Sequence, residues 1–213
     1  MNRHLTLYYA PHSRALGALA LLEELGADYE LHVLDLKSGE QRRADYLAVN
    51  PMGKVPAVVH EGVLITEQPA VYQYLAELYP QAGLSPAPGT PLRGAYLRWL
   101  AFYGSSFEPA LLDKSLQRPP ASPSLVPYGD YDSVIQVVSD QLDRGPYLLG
   151  DTITAADILW GVALSWTVAF KMVPETPSIR AYIDRINTRP AIERARTREA
   201  DILRSLGTQG GVN

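Results

Sequence analysis

Two hydroxyls, a proline turn and an arginine stand where a strand gives way to a helix. The run Leu5-Thr6-Leu7-Tyr8-Tyr9 is strand-like, Ala10-Pro11-His12-Ser13-Arg14 follows, and apolar residues recur at helical spacing from Ala15. A chain that leaves a strand and enters a helix at once aims backbone N–H groups and the positive helix end beyond the sheet. An anion would be stabilised there, with Tyr9 and Ser13 as hydroxyl donors and Arg14 adding its backbone or its charge. Each residue also has a plainer use. Ser13 serves as a helix N-cap, Tyr9 or Tyr8 as a core aromatic, and His12 as a loop residue that could line a cleft.

Two further segments have the right composition to hold a small polar molecule. In Asn50-Pro51-Met52-Gly53-Lys54-Val55-Pro56-Ala57-Val58, Pro56 directly precedes a strand, and proline cannot donate to a ladder. A cis Val55–Pro56 bond would turn the backbone sharply and leave the Val55 N–H and C=O to pair with a peptide lying across the sheet end. The alternative is an edge proline that only closes a loop. In Thr66-Glu67-Gln68-Pro69-Ala70 a strand meets a helix, with Pro69 in the first turn. Thr66 or Gln68 could cap that helix and Glu67 could be its first-turn charge. The same geometry lets helix N–H groups bind a carboxylate while Glu67 binds an ammonium. A carboxylate and an ammonium on one carbon describe the α-amino-acid end of a γ-glutamyl peptide.

The elements that must position these segments alternate through the first eighty residues. A strand at Leu5–Tyr9 precedes a helix over Ala15–Leu25 that stops at Gly26. Alternation marks a strand over Tyr29–Leu34, and a short helix is expected over Gln41–Ala48. Ala57–Val59 and Val63–Ile65 read as a hairpin around Glu61-Gly62, and a helix runs from Thr66 to Tyr79. The order is βαβαββα, with a right-handed crossover between the first two strands. The stretch "PQAGLSPAPGTP" is rich in Pro, Gly and Ser and reads as a linker. Beyond it every periodic segment is helical: Leu92–Leu116, Tyr131–Arg144, Ala155–Phe170, Ser178–Asn187 and Ala191–Leu206. The first domain is therefore placed at 1–80, the linker at 81–91 and an all-helical domain at 92–206, with a mobile tail over 207–213.

Within the helical half, Tyr96, Trp99, Tyr103 and Phe107 recur at intervals of three and four. Trp99 is assigned to the core. Tyr103, Phe107 and, from a later helix, Trp166 are the candidates to line a cleft for an apolar molecule. "GDTITAADI" pairs Thr154 with Asp157 as an N-capping box, with Ile153 and Ile158 placed as a hydrophobic staple. That motif is read as serving folding.

Composition narrows the chemistry. A net charge of −4 argues against nucleic acid or an anionic membrane as the main partner. No window reaches the roughly 18 uninterrupted apolar residues of a membrane span, and the N-terminus lacks a secretory pattern, so a cytoplasmic location is expected. The chain has no cysteine, and its four histidines have no metal-binding spacing. No metal and no protein-thiol chemistry are therefore expected.

The chain resembles the cytosolic glutathione transferases over approximately Leu5–Leu206. The resemblance rests on "NPMGKVPAV" followed by "TEQPA", then an all-helical half carrying "GDTITAADI". The early helix "RALGALALLEELGADYEL" is similar to bacterial and fungal members. The resemblance implies a thioredoxin-like N-terminal domain (α/β) with a C-terminal helical bundle. It implies that Val55 binds the cysteinyl part of glutathione through its backbone with Pro56 cis. Glu67 and Gln68 would hold the γ-glutamyl end, and Lys54 would reach the glycyl carboxylate. The family commonly has serine or threonine where this chain has Gln68.

The anion would be the glutathione thiolate, stabilised by Ser13, Tyr9 or Arg14. A thiol of pKa about 8.5 is only a few per cent ionised at neutral pH, and lowering it by about two units takes roughly 2.7 kcal/mol. Where cysteine-using bacterial members have their cysteine, this chain has Arg14, which leaves a serine or tyrosine type. No cofactor beyond glutathione as co-substrate is implied, and a homodimer is. The expected activity is conjugation of the thiolate to an apolar electrophile. The alternatives are a non-catalytic protein of this fold that binds ligands or partners, or a glutathione-dependent isomerase, dehalogenase or peroxidase.

Overall fold

The computed structural model describes residues 2–119 and 121–209. The chain begins β1 (Leu5–Tyr9), α1 (Ala15–Leu25), β2 (Tyr29–Val33), a 3-10 turn (Glu40–Arg42) and α2 (Ala44–Val49). It continues β3 (Ala57–His60), β4 (Val63–Ile65) and α3 (Gln68–Leu78). Helices α4 (Pro91–Phe102), α5 (Glu108–Ser115), α6 (Tyr131–Leu142), α7 (Ala155–Ala169), α8 (Pro177–Asn187) and α9 (Pro190–Gln209) follow. The expected order βαβαββα followed by helices is present.

Contacts divide the chain into two compact units, but not where composition placed the second boundary. Residues up to Ala82 group with those from Thr188 onward, and Gly83–Asn187 form the other unit. Helix α9, assigned from the sequence to the helical half, thus belongs with the sheet. It also runs to Gln209, past the expected start of a mobile tail at Gly207; residues 210–213 lie outside the described residues.

In the first unit the sheet order is β2-β1-β3-β4. β1 runs parallel to β2, with Leu5 opposite Tyr29, and antiparallel to β3, with Tyr8 opposite Ala57. β3 runs antiparallel to β4, with Val58 opposite Ile65. Helix α1 is apolar on nearly every side, and Ala18, Leu19, Leu21 and Leu22 are all buried. Such a helix must be covered on more than one face, and β1, α3 and α9 cover it. Each buried leucine contributes about 1.5–3 kcal/mol. Helix α9 is amphipathic, burying Ala191, Ile192 and Ala195 and turning arginines to α1. Arg189 pairs with Glu24. The Arg194 Nε–H donates to Glu23 at 2.8 Å, and Tyr29 Oη–H donates to the other Glu23 oxygen at 2.7 Å. Burial alone would raise the Glu23 carboxyl, but these donors and the nearby Arg198 outweigh it and hold its pKa low.

The second unit is built around Trp160 on α7. Its ring packs against Trp99 at 5.6 Å, Tyr103 at 5.5 Å and Phe107 at 4.8 Å, and its Nε1–H donates to the Trp99 carbonyl at 3.0 Å. The expected helix Leu92–Leu116 is interrupted by a π turn at Tyr103–Phe107. That turn keeps both aromatics on the Trp160 side, their rings 5.8 Å apart. Helices α7 and α8 approach so closely at Gly161 that a Cβ there would lie 2.6 Å from Ile186.

The Thr154–Asp157 pair does more than cap α7. One Asp157 oxygen accepts from the Thr154 N–H at 2.8 Å and from its hydroxyl at 2.9 Å. The other accepts from the Leu148 N–H at 2.8 Å and from the Tyr182 hydroxyl on α8 at 3.0 Å. Asp157 is fully buried, so losing it strands several donors away from water.

Two outcomes are expected. Thr154→Ala should cost about 1 kcal/mol, whereas Asp157→Ala should cost about 3 kcal/mol or more, both read from urea denaturation; equal small losses would contradict the network. The Glu23–Arg194 contact should stabilise the first unit above the ordinary carboxylate range near 4.5 and fade as pH falls through the depressed Glu23 value. Arg194→Ala should then cost about 0.5–1 kcal/mol at pH 7 and progressively less as pH falls below the ordinary carboxylate range.

Candidate functional site

Register alone brings the chemistry-bearing segments to one end of the first unit's sheet. Because Tyr8 faces Ala57 antiparallel, the chain leaving β1 lies beside the chain entering β3. Because Val58 faces Ile65 antiparallel, the end of β4 and the start of α3 arrive at that same end. β2 is parallel to β1 and finishes there too, where the Leu34 N–H donates to the Tyr9 carbonyl at 2.8 Å. The turn at 10–14, the loop at 50–56 and the residues 67–68 therefore converge.

The Val55–Pro56 bond is cis. Among the described residues no hydrogen bond takes up the Val55 N–H or C=O. The loop before it is held from within. Buried Asn50 accepts from the Met52 N–H at 3.1 Å and donates through Nδ2 to the Lys54 carbonyl at 2.8 Å. The Tyr46 hydroxyl donates to the same carbonyl at 2.5 Å. Gly53 sits at φ 59°, and a Cβ there would lie 2.5 Å from the Gln41 carbonyl, so no other residue fits without moving the backbone. The Lys54 side chain is exposed.

At the start of α3, Glu67 is exposed and has φ 62° and ψ 113°, an unusual backbone for a glutamate. Strain of this kind, of order 1–3 kcal/mol, collects at ligand-binding positions. It also explains why α3 starts at Gln68 and not at the expected Thr66. The Gln68 Nε2–H donates to the Arg14 carbonyl at 3.3 Å and so braces α3 against the start of α1. That bond takes up one N–H of its amide.

At the turn after β1, the Ser13 hydroxyl donates to the Ala10 carbonyl at 2.7 Å and accepts from the Ala15 N–H at 3.1 Å. Tyr9 is fully buried, and its hydroxyl donates to Glu199 Oε1 on α9 at 2.7 Å. Burial first, then the Glu199 bond and charge, push the Tyr9 pKa well up. The Tyr9 proton is therefore held by a carboxylate in this structure. The same Glu199 oxygen accepts from the His12 backbone N–H at 2.9 Å, while the His12 ring is exposed. His12 has φ 55°, a left-handed conformation that costs about 1 kcal/mol in a residue with a Cβ.

The aromatic residues expected to line a cleft separate. Tyr103 and Phe107 are buried in the core around Trp160, and the Tyr103 hydroxyl donates to Glu108 at 2.8 Å. Helical spacing alone did not distinguish an aromatic core from a cleft wall. Trp166 is half-buried and meets the exposed Phe170 edge-on at 6.4 Å. A cavity of about 360 Å³ lies between the end of β2 and α2, bounded by Tyr8, His32, Tyr46 and Glu40 among others, and none of the sequence-predicted residues lines it.

Sequence reasoning missed Glu199, Tyr46 and Asn50 as parts of this region. Asn50 and Tyr46 carry a faint signal in their nearness to the Pro56 loop. Glu199 carries none, because 190 residues separate it from its partner Tyr9.

Known proteins resemble this chain throughout. The glutathione S-transferase N-terminal domain family matches residues 3–77, and the glutathione S-transferase C-terminal domain family matches residues 131–195. A relative named disulfide-bond oxidoreductase YfcG, from Escherichia coli, is 30% identical over 89% of this chain and 93% of its own. Among solved structures, a glutathione transferase from Methylococcus capsulatus superposes with a TM-score of 0.78 at 34% identity, covering 92% of this chain and 98% of that one. A sphingomonad glutathione S-transferase complexed with glutathione gives 0.76 at 30% identity, covering 92% and 98%. With both halves matched and the sheet-end segments in the expected order, the chain belongs to the glutathione S-transferase family.

Proposed function

We propose that the chain binds glutathione across the end of the first unit's sheet and promotes attack of its thiolate on an apolar electrophile. The reading is supported most by the open Val55 backbone, at the sheet end where the Ser13 turn and the start of α3 also arrive. The Val55 N–H and C=O pair with the cysteinyl residue as an added strand would. Glu67 takes the γ-glutamyl ammonium. Its carboxylate is left to backbone N–H groups at the positive end of α3, where the Gln68 amide gives one N–H to the Arg14 carbonyl. Lys54, exposed on the same loop, reaches the glycyl carboxylate.

Ser13 is the favoured thiolate donor. Redirecting its hydroxyl gives up a bond to a neutral carbonyl, worth about 0.5–1.5 kcal/mol. Redirecting Tyr9 gives up a bond to a carboxylate, worth about 1.5–3 kcal/mol. Arg14, with its helix-end backbone, supplements Ser13. The exposed His12 ring beside this turn is positioned to meet the electrophile. Conjugation then rests on thiolate stabilisation and proximity.

A second reading follows from the relative named as a disulfide-bond oxidoreductase. The same activated thiolate would attack one sulfur of a disulfide, forming a mixed disulfide with glutathione and releasing the other sulfur as a thiolate. With no cysteine in the chain, that exchange would run through bound glutathione alone.

Glutathione titrated into the protein across about pH 5 to 9, followed by thiolate absorbance, tests the first step. The bound thiol should ionise well below free glutathione, and Ser13→Ala should return it by about one unit or more while Tyr9→Phe leaves it nearly unchanged. An unshifted bound thiol would leave only ligand binding. Turnover of a chlorinated nitroaromatic against turnover of a small disulfide then separates the two chemistries. Tyr46→Phe should weaken glutathione binding about 3- to 10-fold, because the loop carrying Val55 loses one of its two carbonyl anchors.

A further inference from the structure

We propose that Glu199 is a positioning residue for glutathione binding: from helix α9 it holds the turn after β1 in its working shape by accepting from both the Tyr9 hydroxyl and the His12 backbone N–H. The inference rests on the glutathione reading above and extends it to a residue at the far end of the chain. One carboxylate oxygen serves both donors, at 2.7 Å and 2.9 Å. The donors flank Ala10-Pro11, so the contact fixes both ends of the short segment that leads to Ser13. His12 is held at φ 55°, which a histidine does not favour by itself, and the bond from its own N–H offsets that preference.

The carboxylate is partly buried on a helix that is anchored elsewhere. Arg189 pairs with Glu24, and Arg194 with Glu23, so the turn is held against α1 and α9 together. Two donors on one oxygen also spread the carboxylate charge, which limits its opposition to a nearby thiolate. Tyr9 acts through Glu199 and not on sulfur, and its raised pKa agrees with that part. Ser13, one residue beyond His12, inherits the fixed geometry.

A double-mutant cycle between Tyr9 and Glu199, read in glutathione affinity, tests the proposal. Glu199→Ala should raise the dissociation constant about ten-fold and Tyr9→Phe, which leaves the His12 N–H bond in place, by less; the double variant should match Glu199→Ala alone, because the Tyr9 contact is already lost there. Glu199→Gln retains a carbonyl acceptor and should recover most of the affinity. Because Ser13 inherits the geometry of the turn, Glu199→Ala should also move the bound thiol's pKa part of the way toward the Ser13→Ala value, whereas Glu199→Gln should leave it near the wild type. Multiplicative losses in the double variant, or no recovery with Glu199→Gln, would overturn the positioning role.

Amide hydrogen exchange at His12, measured without glutathione, reads the same contact independently. Exchange should speed up about ten-fold or more in Glu199→Ala and much less in Glu199→Gln. Unchanged exchange in Glu199→Ala overturns the proposal whatever the affinity. If the wild type binds no glutathione, the functional reading falls, and the exchange result still decides whether Glu199 holds the turn. Should Glu199→Ala fail to fold, Glu199→Gln and Tyr9→Phe carry the same comparison.

Discussion

The antiparallel register of β3 against β1 and β4 is the constraint on which the region depends. Tyr8 opposite Ala57 and Val58 opposite Ile65 oblige three chain segments, far apart in sequence, to finish at one end of the sheet. A slip of one residue would turn every side chain of β3 to the other face, setting Val58 where Ala57 and Val59 now pack. The buried alternation of Leu5, Leu7 and Tyr9 on β1 makes such a slip costly, which ties the convergence to the core.

What converges there is chiefly backbone. Val55 offers its main chain, α3 its first N–H groups and the turn after β1 its helix end, so side chains serve mainly to hold these in place. Asn50 and Tyr46 clamp the Lys54 carbonyl, Gln68 braces the Arg14 carbonyl, and Glu199 gathers Tyr9 and His12. A backbone site has the advantage that its donors are spaced by the peptide geometry itself. Its cost is a set of unusual conformations, at His12, Gly53 and Glu67, which the surrounding contacts must maintain.

The two units solve their packing problems differently. In the second, a single indole collects four aromatic neighbours, Phe102 among them, and a buried carboxylate ties the start of α7 to α8. In the first, helix α1 is too apolar to be covered by the sheet and α3 alone. Helix α9 completes the cover and brings with it the arginines that meet Glu23 and Glu24, and the carboxylate that reaches Tyr9. The C-terminal helix thus contributes both to the fold and to the shape of the turn near the other end of the chain.

Element order and the segments that matter are readable from the residues alone, because strand alternation, helix periodicity and proline punctuation are local properties. The capping pair at Thr154 and Asp157, the helix end at Gly26 and the Val55-Pro56 turn were legible for that reason. Which hydroxyl meets a carboxylate, which aromatics are core and which unit owns α9 depend instead on contacts between residues distant in the chain. Tyr9 and Ser13 carry similar groups, and nothing near either one in sequence reveals a carboxylate 190 residues away. Tyr103 and Phe107 have the spacing of a cleft wall and the burial of a core, since a helix face shows its pattern but not what covers it. Helix α9 looks like its helical neighbours in composition, and its membership follows from the apolar face of α1 that it has to cover.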